Sequence, residues 1–143
     1  KFSIFVYMEL NIRSLEVGDY ENTLIGWWND WRWTAPSLDF LPDNGIGGYI
    51  VHDGDTPICA GFMYTTNSKA VWCDWIISNL HYKNREKRKD ALSLLIQTIT
   101  DKAKSLDKKY VYALIKNKPL INVYKKIGYE EASTYSIEMI KKL

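Results

Sequence analysis

Five cations crowd the run Lys83-Asn84-Arg85-Glu86-Lys87-Arg88-Lys89, directly before a stretch in which Ala91, Leu94, Leu95, Thr98, Ile99, Ala103 and Leu106 recur every three or four residues. That recurrence is the period of an amphipathic helix, the longest the chain offers. A helix N-terminus carries unpaired N–H groups and partial positive charge, so cations there are unfavourable unless an anion neutralises both. A phosphate or pyrophosphate does this, and the competing reading is a solvated surface turn. A second constellation, Asn117-Lys-Pro-Leu-Ile-Asn-Val-Tyr124-Lys-Lys-Ile-Gly128-Tyr129, reads as a strand-to-helix junction whose helix stops on glycine and an aromatic. A third, Trp27-Trp28-Asn29-Asp30-Trp31-Arg32-Trp33, holds four tryptophans in seven residues. Four indoles do not fit one helical face, so at least one is left for solvent, for a ligand or for a contact between copies of the chain, which admits a homodimer. Packing of the helix against a sheet accounts for the others.

The elements that must position these groups follow from hydrophobic period. Met8 to Leu15 alternates apolar and polar residues as a half-buried strand does, and Asp19 to about Trp31 has helical spacing. Pro36 and Pro42 break the pattern around a short helix or turn at Ser37 to Leu41. Asp53-Gly54-Asp55 signals a hairpin between Tyr49-Ile50-Val51 and Ile58 to Thr65, and Asn67-Ser68 a second turn before a strand from Ala70 to Ile77. The three strands make an antiparallel meander. Tyr110 to Ile115 is a strand returning after the long helix, so the sheet is mixed; Pro119 to Gly128 is a helix, and Tyr135 to Ile140 a closing strand.

Composition bounds the class. At 143 residues, 46% hydrophobic and 25% charged, the chain suits one packed domain over 1–143, with the first seven residues an extension if Met8 is the natural start. A net charge of +2 is too small to point to nucleic acid. Cys59 and Cys73 read as buried apolar residues and not as a secreted disulfide framework, so a cytoplasmic setting is expected. No apolar run approaches the roughly 20 residues that span a bilayer. His52 and His81 sit in no recognisable motif, and two histidines without spaced cysteines or carboxylates give no metal site.

The segment around Tyr124 resembles a pattern of the GNAT superfamily of N-acetyltransferases: Asn, two residues, a small or apolar residue, three residues, Tyr, three residues, Gly and an aromatic. Asn117, Leu120, Tyr124, Gly128 and Tyr129 match it without a gap, with leucine where alanine is more usual. The order of elements is similar to that superfamily from end to end. The resemblance implies an α/β (α+β) fold with a mixed, mostly antiparallel central sheet flanked by helices. The family's phosphate loop, Gln or Arg, two residues, Gly, one residue, then Gly or Ala, corresponds to Glu86-Lys-Arg-Lys89-Asp90-Ala91. Ala91 fits; Glu86 and Lys89 depart. Asn79 and Arg88-Lys-Asp-Ala91 are similar to divergent, phage-like members.

What the resemblance implies for function is transfer of an acyl group, acetyl by default, from acyl-CoA to a small-molecule or peptide amine by direct attack. Tyr124 would protonate the departing thiolate and Asp74 would serve as base. Ile76, Ile77 and Ser78 would pair with the pantetheine arm. Lys83, Arg85, Lys87, Arg88, Lys89, Asp90, Ala91, Asn117 and Tyr124 would complete the acetyl-CoA site, with the cations replacing charge that glycine amides supply elsewhere. Trp28, Asp30, Trp31 and Trp33 would wall the acceptor site. The competing readings are a GNAT-fold module without catalysis and a protein- or sugar-binding domain working through its tryptophans.

Overall fold

The computed structural model describes residues 10–134 and 137–143. Strand β1 (Leu10–Ser14) leads through a π-helical turn (Tyr20–Leu24) into helix α1 (Ile25–Asp30), so the helical period read from Asp19 onward is carried by two windings. Two short 3-10 turns, Leu38–Phe40 and Pro42–Gly45, cover the proline-broken segment. The meander follows as β2 (Gly48–Asp53), β3 (Thr56–Thr65) and β4 (Ala70–Ser78). Helix α2 (Arg85–Ser105), strand β5 (Tyr110–Tyr112) and helix α3 (Lys118–Ile127) complete the order.

The strands form one sheet in chain order, antiparallel from β1 to β4 and parallel between β4 and β5. A parallel neighbour needs a crossover, and α2 supplies it. The sheet separates two cores. Val51, Cys59 and Cys73 of the sheet pack with Leu95, Ile96 and Ile99 of α2 and Val123 of α3, while Ile50, Ala60, Phe62 and Ile77 pack with Leu24 and with Trp28 of α1. Both cysteines are free and buried. Among the described residues no helix is long and apolar enough to cross a membrane.

Two glycines on neighbouring strands let the middle of the sheet close. A Cβ on Gly48 would stand 2.0 Å from the Gly61 carbonyl oxygen, and one on Gly61 would meet Ile76 Cδ1 at 2.4 Å. Opposite Gly61 the register jumps, from Ala60↔Ile77 to Phe62↔Asp74, so Trp75 and Ile76 together face one residue of β3. This is a β-bulge, and Trp75 takes φ 56° to make it, a conformation costly for a bulky side chain and held here by its neighbours.

Three sequence expectations need correction or limits. Residues 8 and 9 of the expected first strand lie outside the described residues. The expected strand from Tyr110 to Ile115 ends at Tyr112, because the chain leaves the sheet there. Of the expected closing strand, Tyr135 and Ser136 lie outside the described residues; 137–140 carry no strand, and Ile137 and Met139 are exposed.

Candidate functional site

Strand β5 pairs with β4 only from Ala70↔Tyr110 to Trp72↔Tyr112, whereas β4 continues to Ser78 along β3. Among the described residues the β5-side edge of Cys73 to Ser78 is therefore without a strand partner. Backbone donors and acceptors left in this way must meet water or a ligand. The bulge at Trp75 lies within this open stretch.

Behind the opening stands Tyr124. The Asn117 carboxamide caps α3 by accepting from the Leu120 N–H at 3.0 Å, and Gly128 ends the helix at φ 110°. The reversal sets the Tyr129 ring edge-on to Tyr124, centroids 4.9 Å apart, while its hydroxyl meets Thr100 Oγ1 at 2.5 Å. Tyr124 is thereby fixed with 2% exposure and its hydroxyl 3.3 Å from Cys73 Sγ. Burial, then the neighbouring sulfur, pushes its pKa far above that of a free phenol, so it is a proton donor and not an anion at neutral pH.

Asp74 is half-buried on the opposite face of β4, its Oδ1 accepting the Trp75 N–H at 2.8 Å. Burial raises its pKa, the Trp75 amide opposes the shift, and the charge of Glu138 adds to it. A carboxylate tuned upward at the mouth of an opening is a candidate base. Tyr124 and Cys73 thus meet on one face of β4 beside the open edge and Asp74 stands on the other face, while Asn117 serves at the far end of α3 as its cap.

The basic run is arranged otherwise than its charge suggests. Asn84 caps α2, accepting from the Lys87 N–H at 3.1 Å, so the first turn is Arg85 to Arg88. Lys89, Asp90 and Ala91 lie deeper in the helix than a phosphate loop requires; Ala91 is fully buried, and Lys89 faces Glu86 at 3.9 Å. Arg88 Nη2 donates to the carbonyls of Asn79 and Tyr82, and Lys87 Nζ pairs with Asp53 Oδ2 at 3.2 Å, so both cations brace the loop from within. Lys83 and Arg85 remain exposed beside the helix N-terminus.

The tryptophan segment divides by burial. Trp28 is 1% exposed and lies edge-on to Trp75 at 6.2 Å, so it presents no face to a ligand in this structure. Trp31 Nε1 donates to the Ser78 carbonyl at 2.8 Å, joining α1 to the end of β4, and Trp33 stacks on Trp31 at 5.4 Å with half its surface exposed. Asp30 faces His81 Nε2 at 3.3 Å and so braces the loop after β4. Ile77 belongs to the core, while Ile76 packs over Gly61.

Sequence reasoning passed over Trp75, Tyr64, Trp72 and Tyr112. Tyr64, whose hydroxyl donates to the Phe40 carbonyl at 3.0 Å, is directly opposite Trp72, and the Trp72 ring meets Tyr112 at 4.5 Å. The lone signal for the bulge was Gly61, a glycine inside a strand pattern.

At the level of sequence the chain matches no family model and no curated protein. Solved structures are similar across most of its length. Glucosamine-6-phosphate N-acetyltransferase from Arabidopsis thaliana superposes with a TM-score of 0.61 at 16% identity, over 93% of this chain and 97% of that one. An aminoglycoside acetyltransferase from an uncultured soil metagenomic sample, in complex with trehalose, gives 0.64 at 10% identity, over 95% and 99%. N-acetylglutamate synthase from Neisseria gonorrhoeae, complexed with coenzyme A and L-arginine, gives 0.68 at 15% identity over 87% of this chain and 28% of that one. Among the described residues a mixed five-stranded sheet, opened between its parallel strands and flanked by helices and similar to these acetyltransferases over nearly the whole chain, is the acyl-CoA N-acyltransferase (GNAT) fold.

Proposed function

We propose that the chain is an acyl-CoA-dependent N-acyltransferase that moves an acetyl group from acetyl-CoA to a primary amine by direct attack. The observation that carries this reading is the parting of β4 from β5 after Trp72, with the Tyr124 hydroxyl set against Cys73 on the open stretch. An extended amide-bearing arm fits the unpaired edge of Cys73 to Ser78. Its phosphates fit the N-terminus of α2, beside which Lys83 and Arg85 are exposed.

The donor supplies an activated acyl group as a thioester. Asp74, directly or through water, takes a proton from the ammonium, leaving a neutral amine to form the new C–N bond. As the C–S bond breaks, Tyr124 gives its proton to the departing sulfur, and the second proton, shed by the acylated nitrogen, returns to the Tyr124 phenolate through water. The fold contributes proximity, and no covalent bond to the protein is needed.

The inward commitment of Lys87 and Arg88 favours a second reading, a module of this fold that no longer binds the donor. Calorimetric titration with acetyl-CoA, followed by thiol release in the presence of a panel of amines, decides between them. Saturable binding with amine-dependent thiol release supports the enzyme. Absence of binding at millimolar acetyl-CoA removes that reading.

A further inference from the structure

The α1-side face of the sheet carries a row of rings across three strands at the point where β4 and β5 separate. Tyr64 on β3 is opposite Trp72 on β4, and the Trp72 ring contacts Tyr112 on β5 at 4.5 Å. Directly opposed residues share a face, so the row is continuous. Asp74 stands two residues along β4 from Trp72 and hence on the same face, two positions beyond the end of the pairing with β5. Row and carboxylate therefore meet at the opening.

Asp74 is half-buried, takes part in none of the ion pairs among the described residues, and feels Glu138 as a second carboxylate. Its hydrogen bond from the Trp75 amide satisfies one oxygen of Asp74 without supplying a counter-charge. A ligand bearing a carboxylate or phosphate meets repulsion at such a surface. An ammonium on a hydrocarbon chain meets a carboxylate at its head and apolar ring surface along its body.

We propose that the amine acceptor is an unbranched alkylamine free of carboxylate and phosphate groups, its ammonium at Asp74 and its chain along Trp72 and Tyr64. This rests on the reading of the opening as an N-acyltransferase site, since it assigns the acceptor side of that site. The row decides which amines enter, and Asp74 both selects the cation and removes its proton.

The test is direct binding of n-hexylamine and of 6-aminohexanoate, followed by tryptophan fluorescence and calorimetry at neutral pH, with and without CoA. Hexylamine should bind at least about tenfold more tightly than the aminoacid of the same chain length, with Asp74→Asn losing about tenfold or more. Trp72→Leu, which keeps an apolar surface but removes the ring face, should cost roughly two- to fivefold. Circular dichroism and thermal melting establish that each variant is folded. Equal affinity for the two ligands, no hexylamine binding in either condition, or an undiminished affinity in folded Asp74→Asn overturns the proposal. Because binding is read without acyl transfer, failure of acetyl-CoA to bind strikes the enzyme reading separately.

Discussion

The Tyr124 hydroxyl and the Cys73 sulfur face each other at 3.3 Å across the junction of α3 and the open part of β4. The contact links a helix residue held by Tyr129 to the strand where pairing with β5 has just ended. A phenol so placed keeps its proton at neutral pH, and in the proposed reaction it is aimed to hydrogen-bond and protonate the sulfur as the C–S bond breaks.

Tyr124→Phe retains the ring and its packing while removing the proton. Turnover should fall by roughly 10²-fold or more, with acetyl-CoA affinity changed less than about twofold. Steady-state thiol release together with calorimetry reads both quantities, and an unchanged kcat would remove Tyr124 from the chemistry.

Arg88 and the pair Lys83 and Arg85 should behave differently, although all belong to one charge run. Arg88 holds the carbonyls of Asn79 and Tyr82, so Arg88→Ala leaves loop acceptors unsatisfied and should destabilise by about 1–3 kcal/mol in urea unfolding, with little salt dependence. Lys83→Ala with Arg85→Ala should leave unfolding nearly unaltered and weaken acetyl-CoA binding in a manner that fades as salt rises. The reverse assignment of effects would mean that the loop is arranged differently in solution.

Asp74 has a pH signature. Burial raises its pKa in the folded chain, so its contribution to stability is fully present below the ordinary carboxylate range and is lost as pH rises through the raised value. Asp74→Asn should therefore melt higher than the parent chain at pH 7, with the difference vanishing toward pH 3. A variant that melts lower than the parent at neutral pH would contradict the sign. Asp19 runs the opposite way: its double contact with Arg13, at 2.8 and 3.0 Å, lowers its pKa. The stability it contributes is present above the ordinary carboxylate range and is lost as pH falls through the lowered value.

Gly48→Ala tests the close approach of β2 and β3. The added methyl would lie 2.0 Å from a backbone oxygen in the sheet, which cannot rotate away as a side chain can. A loss of about 2–3 kcal/mol or more is expected, read as a lower urea midpoint. Gly26→Ala, where a methyl meets nothing within 4 Å, should be neutral or slightly stabilising.

The order of elements was legible because its signals are local: alternation marks β1, the turns at Asp53-Gly54-Asp55 and Asn67-Ser68 bound β2 to β4, and the apolar stripe from Ala91 marks α2. Asn117, Pro119 and Gly128 likewise announce the ends of α3 through capping chemistry that each residue performs alone. The bulge was not legible, since a positive φ at Trp75 depends on Gly61 and Ile76 from two strands. Nor did charge alone reveal which cations turn inward; Arg88 and Lys87 are drawn in by carbonyl and carboxylate groups distant in sequence. Asn84 was the overlooked local clue, because an asparagine cap sets the helix start before the expected phosphate loop.

The early end of β5 also bears on solvent. An amide edge in the interior of a sheet must stay wet when nothing lies along it, so any arm that binds there exchanges bound water for main-chain partners. Amides on the open edge of β4 should accordingly exchange hydrogen quickly in the free chain, beside neighbours in β3 that exchange slowly. The sheet holds a rapidly exchanging seam inside a slowly exchanging frame, and protection of that seam would report occupancy before any product forms.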